Sequence, residues 1–216
     1  MSNDVKYAIY GASGFGREVY CYLKDTMNDQ NVNWDFIGFF DDGSPTFSSY
    51  SKYGKIIGGI DSVNSWDEPL NLIIAIADPT VRKSLIEKIT NKIIQFPNLI
   101  FSDVRIFDQE SFSIGKGNII FSKCTFSVDT VVGDYNIFNG SISMGHDSVI
   151  GNFNSFMPGS KVSGMVEIGN GNQFGMNSTI LQNLRMGDFN KVAPNTMISK
   201  NIGSDATYFG TILKKL

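Results

Sequence analysis

The sequence predicts an α/β plus β protein: a small parallel α/β domain followed by a parallel β-helix built from hexapeptide repeats. Three observations carry that reading. The chain opens on a strand, a glycine-rich turn and a helix; large apolar residues recur at every sixth position from Ile114; and glycine and asparagine recur every eighteen residues over the same stretch. At 216 residues the chain is long enough for two modest domains that each bury a core.

The first domain is expected over residues 1–92. Val5 to Tyr10 reads as a strand, Gly11-Ala12-Ser13-Gly14-Phe15-Gly16 as a turn, and Arg17 to Asp25 as a helix. Such a turn aims backbone N–H groups and a helix N-terminus at one place, where phosphate can be held. The spacing is G-x-x-G-x-G rather than the dinucleotide fingerprint G-x-G-x-x-G, so NAD is not implied, and the glycines are equally explained by a tight strand-to-helix turn. A second strand, Phe36 to Phe40, ends in Asp41-Asp42-Gly43, and a third, Leu72 to Ala77, ends in Asp78-Pro79-Thr80 before a helix that runs to Thr90. Ligands of open parallel sheets bind beyond the carboxyl ends of the strands, which puts Ser13, Asp41, Asp42 and Ala77 around one cleft. The aspartates also suit simple turns.

The second domain is expected over residues 93–216, with Lys92 to Gln109 as a lead-in and a short C-terminal tail. Fifteen consecutive sixth positions, from Ile114 through Phe126, Phe138, Met144, Phe156 and Phe174 to Ile198, are all large and apolar. A helix repeats near 3.6 residues and a strand near 2, so a period of six belongs to a coil that returns to the same orientation. Gly115, Gly133, Gly151, Gly169 and Gly187 lie eighteen apart, as do Asn118, Asn136, Asn154, Asn172 and Asn190, giving three hexapeptides per coil and five coils over residues 114–203. One coil cannot bury its apolar residues, whereas stacked coils share a single core. Glycine and asparagine suit the unusual φ values of tight corners. The outer stations are irregular, with His146, Lys161, Glu167, Arg185 and Lys191, which speaks against a plain stalk or a flat ice-binding array.

Composition narrows the function. The net charge is -3, with no basic stripe, so nucleic acid is not an expected partner. Met1-Ser2-Asn3-Asp4 lacks a signal-peptide flank and no run approaches the ~18 apolar residues of a membrane span, so a cytoplasmic protein without a membrane partner is expected. Cys21 and Cys124 show no metal-ligand spacing and are expected to be buried apolar groups; no metal is expected.

His146 is the only histidine. It stands two residues after Met144, so the repeat turns it outward, where no core can occupy it. Imidazole, with an ordinary pKa of ~6.5, is the side chain best suited to accept a proton at neutral pH, and the adjacent Asp147 is placed to fix its tautomer.

Residues Gly11 to Gly16, Asp41-Asp42, Ala77-Asp78 with Arg82, and Gly145-His146-Asp147-Ser148-Val149-Ile150-Gly151 together resemble the PglD/NeuD-type bacterial sugar acyltransferases, and the similarity spans nearly the whole chain. The resemblance implies a small Rossmann-like N-terminal domain, a left-handed β-helix, a homotrimer, and transfer of acetyl from acetyl-CoA to a sugar or nucleotide-linked amino sugar. It implies His146 as general base, Asp147 as its acidic neighbour, and Gly164 as the glycine whose N–H faces the thioester oxygen. It places Ser13, Gly14, Phe15, Asp41, Asp42, Gly43 and Ala77 on the nucleotide-sugar, and Ser155, Met176 and Pro194 on the coenzyme. The expected reaction is N-acetylation of a nucleotide-linked 4-amino-4,6-dideoxy sugar. O-acetylation of a free sugar such as sialic acid and a noncatalytic ligand-binding scaffold remain open alternatives. Two departures from the family pattern stand out: Ser155 occupies a place where relatives carry a second histidine, and Gly210-Thr211-Ile212-Leu213-Lys214 replaces a Gly-x-Pro-Ala-Lys ending.

Overall fold

The computed structural model describes residues 5–31, 33–43 and 51–210. Met1 to Asp4, and Thr211 to Lys214 of the altered tail, lie outside the described residues. The chain divides into two compact units, the first reaching residue 99 apart from 78–80, the second running from residue 100 onward.

The first unit is a five-stranded parallel sheet. Its strands are β1 (Val5–Tyr10), β2 (Trp34–Phe40), β3 (Ile56–Gly58), β4 (Leu70–Ile74) and β5 (Ile94–Gln95), in the order β3-β2-β1-β4-β5. The order reverses between β1 and β4, which is where a doubly wound sheet opens its ligand crevice. Helix α1 (Gly14–Asp29) follows β1 and buries Gly16, Val19, Leu23, Thr26 and Met27, a stripe at helical spacing. Cys21 falls off that stripe and is exposed, contrary to expectation. Helix α1 also starts three residues earlier than its sequence reading, because Ser13 is already the extended N-cap.

Between β3 and β4 lies a short helix, α2 (Ile60–Asn64), and after β4 comes α3 (Pro79–Lys88). Asp78 caps α3 through an Oδ1 bond from the Thr80 N–H (2.9 Å), with Pro79 at the first helical position. The third predicted strand, Leu72 to Ala77, is displaced to Leu70–Ile74. The carbonyls of Ile76 and Ala77 accept from the buried guanidinium of Arg82 (2.5 and 3.1 Å), so this stretch leaves the ladder.

The second unit is a left-handed parallel β-helix of two-residue strands, a triangular prism with three parallel faces. Face one has six strands, from Arg105–Ile106 through Ser143–Met144 to Met197–Ile198; face two has five, from Ser113–Ile114 through Val149–Ile150 to Arg185–Met186; face three has seven, from Leu99–Ile100 through Ser155–Phe156 to Thr207–Tyr208. Through the middle of the prism each strand pairs with the one eighteen residues away, as in Met144 with Val162, whereas Arg105 pairs Thr125 at twenty and Lys191 pairs Thr207 at sixteen. The predicted apolar column is the core: Phe126, Phe138, Phe156 and Phe174 are fully buried, and the last three stack with centroids 5.0 and 4.4 Å apart. Cys124 is in that core, and burial pushes its thiol up to about 11.

The prism is longer than the five coils read from the repeat, since Leu99–Ile100 and Arg105–Ile106, in the stretch taken as a lead-in, already form strands of it. Eight residues rather than six separate Ile106 from Ile114, which throws the first coil out of register. At the other end Met186 bridges Ile202, sixteen residues on, so the last corner between faces one and two is two residues short.

Gly140, Gly159, Asn177, Asn183 and Asn195 take the positive φ expected of corner glycines and asparagines, but the two eighteen-residue columns do different work. Positive φ falls two stations after the glycine column, at Gly117, Tyr135, Phe153, Gly171 and Phe189 (68°, 55°, 59°, 66° and 52°), while Gly133 is glycine because a Cβ there would lie 2.5 Å from Asn152 Oδ1 and 2.8 Å from the Gly151 carbonyl. The asparagine column is a buried ladder: each side chain accepts from the backbone N–H of the next asparagine, 2.8–2.9 Å away, from Asn118 to Asn190. Asn154 also donates Nδ2 to the Gly169 carbonyl (2.9 Å) and accepts from Asn172 Nδ2 (3.1 Å). Asn154→Ala orphans buried groups above and below, and is expected to lower unfolding stability by about 2–4 kcal/mol in denaturant titration. A loss under about 1 kcal/mol would mean that water replaces the ladder.

Candidate active site

The corner between Ser143–Met144 and Val149–Ile150 is Gly145-His146-Asp147-Ser148. Met144 and Ile150 anchor it in the core, so the intervening side chains lie outside or under the turn. Asp147 sits at φ 55°, a conformation aspartate tolerates better than most side chains. Its N–H donates to the Val128 carbonyl (3.1 Å) and the His146 carbonyl accepts from Met165 N–H (2.8 Å), which pins the corner to the coils on both sides.

The His146 and Asp147 side chains are half exposed, at 50 % and 53 %, with Nδ1 of the ring 2.6 Å from Asp147 Oδ2. A carboxylate accepts, so in the neutral ring Nδ1 holds the proton and Nε2 the free lone pair. That Nε2 faces the next coil: a Cβ on Gly164 would lie 2.5 Å from Nε2 and 2.7 Å from Cε1. Gly164 has no positive φ, so glycine is required there by space alone. Gly145 is required likewise, since its Cβ would lie 2.4 Å from the Gly164 nitrogen. Among the described residues the Gly164 N–H has no acceptor. The structure therefore brings a carboxylate, an oriented imidazole and an unspent backbone donor to one corner.

Met176 and Pro194 are placed together on a different corner, between faces three and one. With Met157, Pro158, Gly175 and Ala193 they line an apolar groove of about 410 Å³. A Cβ on Gly175 would lie 2.4 Å from the Pro194 nitrogen, so the groove floor is formed by backbone packed on backbone. Ser155 lies on face three, paired with Ile137 and Gln173, and is fully buried. Within one chain neither Ser155 nor the groove shares a corner with His146.

In the first unit the three strand ends do converge. Gly11 N–H donates to the Phe40 carbonyl and Ala75 N–H to the Tyr10 carbonyl, each 2.8 Å. Gly11 takes φ 103°, and a Cβ on it would meet the Ala75 carbonyl oxygen at 2.6 Å; a Cβ on Gly16 would meet the Gly11 oxygen at 1.8 Å. Both serve the turn. Gly14 differs, with nothing nearer than an Arg17 nitrogen at 3.6 Å, and Ser13 beside it makes no side-chain cap, so both face solvent with groups to spare. Phe15 is half-buried alongside.

Asp41 and Asp42 are largely spent on the protein. Asp41 accepts from the N–H groups of Ala12 (2.7 Å) and Gly43 (2.8 Å), and Asp42 accepts from Ile60 N–H at the start of α2 (2.9 Å) and from the Tyr10 hydroxyl. Burial first, and then Asp42, hold the Tyr10 phenol well above its ordinary range. The aspartates thus act as struts between strand ends. The Tyr10 contact and the α2 contact were invisible in sequence because both partners depend on the sheet order. Ala77 follows β4, its carbonyl held by Arg82 (3.1 Å).

Residues 6–89 match a family profile described as the PglD N-terminal domain. That match spans most of the first unit. The fold of the whole chain is similar to that of several solved structures. The acetyltransferase domain of PglB from Neisseria gonorrhoeae, solved with acetyl coenzyme A, is 22% identical, with 95% of this chain and 96% of that one covered and a TM-score of 0.81. PerB from Caulobacter crescentus, solved with CoA and GDP-perosamine, is 17% identical over 94% and 92% of the chains, TM-score 0.80. WeeI from Acinetobacter baumannii is 23% identical over 95% and 97%, TM-score 0.84. No curated protein matches by sequence. Among the described residues no cluster of metal-binding side chains occurs and no helix is long and apolar enough to cross a membrane.

Proposed function

We propose that this chain is an acetyl-CoA-dependent N-acetyltransferase acting on a nucleotide-linked 4-amino-4,6-dideoxy sugar. One observation carries the reading: the only histidine of the chain is oriented by Asp147, with its Nε2 against Gly164, whose N–H has no acceptor among the described residues. Likeness to PglB and PerB, solved with acetyl coenzyme A and with CoA and GDP-perosamine, supports the substrate classes.

In this reading the sugar amine attacks the thioester carbon directly. The nitrogen–carbon bond forms, His146 Nε2 takes the amine proton, the Gly164 N–H stabilises the oxyanion, and the carbon–sulfur bond breaks to release CoA thiolate. Asp147 keeps the ring in the tautomer that can do this. Met176 and Pro194 hold the coenzyme along the apolar groove. Ser13, Gly14, Phe15 and Gly43 with Ala77 border the nucleotide, on walls set by Asp41 and Asp42. Since base and groove occupy different corners of the prism, a homotrimer that lays the corner of one copy against the corner of the next completes the site.

The deciding experiment is release of free CoA thiol from acetyl-CoA with purified protein and a panel of UDP-, dTDP- and GDP-linked 4-amino sugars. Release with one member identifies reaction and substrate together. Silence across the panel, with acetyl-CoA still bound, overturns the reading in favour of a free-sugar O-acetyltransferase or a binding scaffold.

A further inference from the structure

At the corners between faces one and two, one station lies under the turn and recurs every eighteen residues: Thr130, Ser148, Val166 and Leu184. Val166 is fully buried and Leu184 packs on the core, so the coil does not need a hydroxyl at this station. Ser148 nevertheless carries one, fully buried, directly beneath the His146 corner. Its hydroxyl donates to the Ser163 carbonyl in the next coil at 3.2 Å, with the His146 carbonyl at the longer distance of 3.5 Å.

The Ser163 carbonyl and the Gly164 N–H are the two ends of a single planar peptide group. Fixing one end fixes the other. We propose that Ser148 is a positioning residue, which orients and polarises the peptide that presents the Gly164 N–H beside His146. It touches neither substrate nor imidazole. A hydrogen bond to the carbonyl strengthens the N–H of the same peptide as a donor, by about 10–30% in condensed-phase estimates, and a donor held in place in advance needs no reorganisation as charge develops on the oxyanion. The coil offers the same reach elsewhere, since Ser160 donates to the Gly175 carbonyl at 3.1 Å. What sets Ser148 apart is the peptide it holds: among the described residues its N–H has no acceptor, and it belongs to Gly164, on which a Cβ would meet the ring.

This role rests on the proposed acetyl transfer, and its test keeps the two separate. In Ser148→Ala and in Ser148→Val, which copies the next coil, kcat is expected to fall about three- to ten-fold, the loss of one neutral hydrogen bond, with KM and the thermal midpoint little changed. Ser148→Thr, which keeps a hydroxyl at a station that accommodates the buried Thr130 one coil earlier, restores kcat. In protein labelled with ¹⁵N-glycine, the Gly164 amide resonance moves in Ser148→Ala while the single histidine's ring signals stay. An unchanged kcat with an unmoved Gly164 amide overturns the proposal, as does a joint loss of kcat and thermal midpoint that threonine does not repair. If the unsubstituted protein transfers no acetyl group, the functional reading fails instead, and the amide measurement, which needs no turnover, tells the two failures apart.

Discussion

His146→Ala is expected to lower turnover with acetyl-CoA and the accepted amino sugar by about 100- to 10,000-fold, the range of a positioned general base, while leaving KM for acetyl-CoA and the thermal midpoint near their original values. The sign on stability follows from placement: the ring is half exposed, and the corner is held by backbone bonds to Val128 and Met165 that alanine keeps. Steady-state kinetics beside a melting curve makes the check. Near-normal turnover in a folded His146→Ala protein would remove His146 from the mechanism.

Gly164→Ala is the second large effect, and it separates two roles of one residue. Alanine retains the backbone N–H, so a loss cannot come from deleting the donor. Its Cβ would lie 2.5 Å from Nε2, well inside van der Waals contact, and the imidazole must swing away from the coil or from Asp147. A misplacement of about 1 Å can cost on the order of 100-fold, and a kcat loss of that size is expected. As His146 is the only histidine, its ring resonances report the displacement without assignment ambiguity. Unmoved ring signals with full activity would show that the ring does not rest on Gly164 in solution.

The prism was legible in the sequence because each inward station repeats at fixed spacing, and Ile120 through Ile198 are buried as that spacing requires. Its ends were not, because two residues gained after Ile106 and two lost before Ile202 break the count while leaving strand pairing intact. His146 was legible as a candidate because an outward imidazole next to Asp147 has a chemical signature of its own, and the structure pairs the two side chains. Ser148 was not, since a serine under a turn looks like any corner serine until the carbonyl it holds is known. The clearest misreading concerned Gly133 and its column, for sequence shows that glycine is present but not whether φ or space demands it. Strands as short as Ile94–Gln95 and the five-residue α2 carry too few residues for any period to register.

The ladder of side-by-side coils has a further consequence for where the molecule can open. In a stack whose units touch only their neighbours, the terminal units fray first and protection against hydrogen exchange rises toward the middle. The His146 corner is the third of six between faces one and two, so it is braced from both sides while either end breathes. The proposed acetyl transfer, which tolerates little play, falls at a corner with coils on either side.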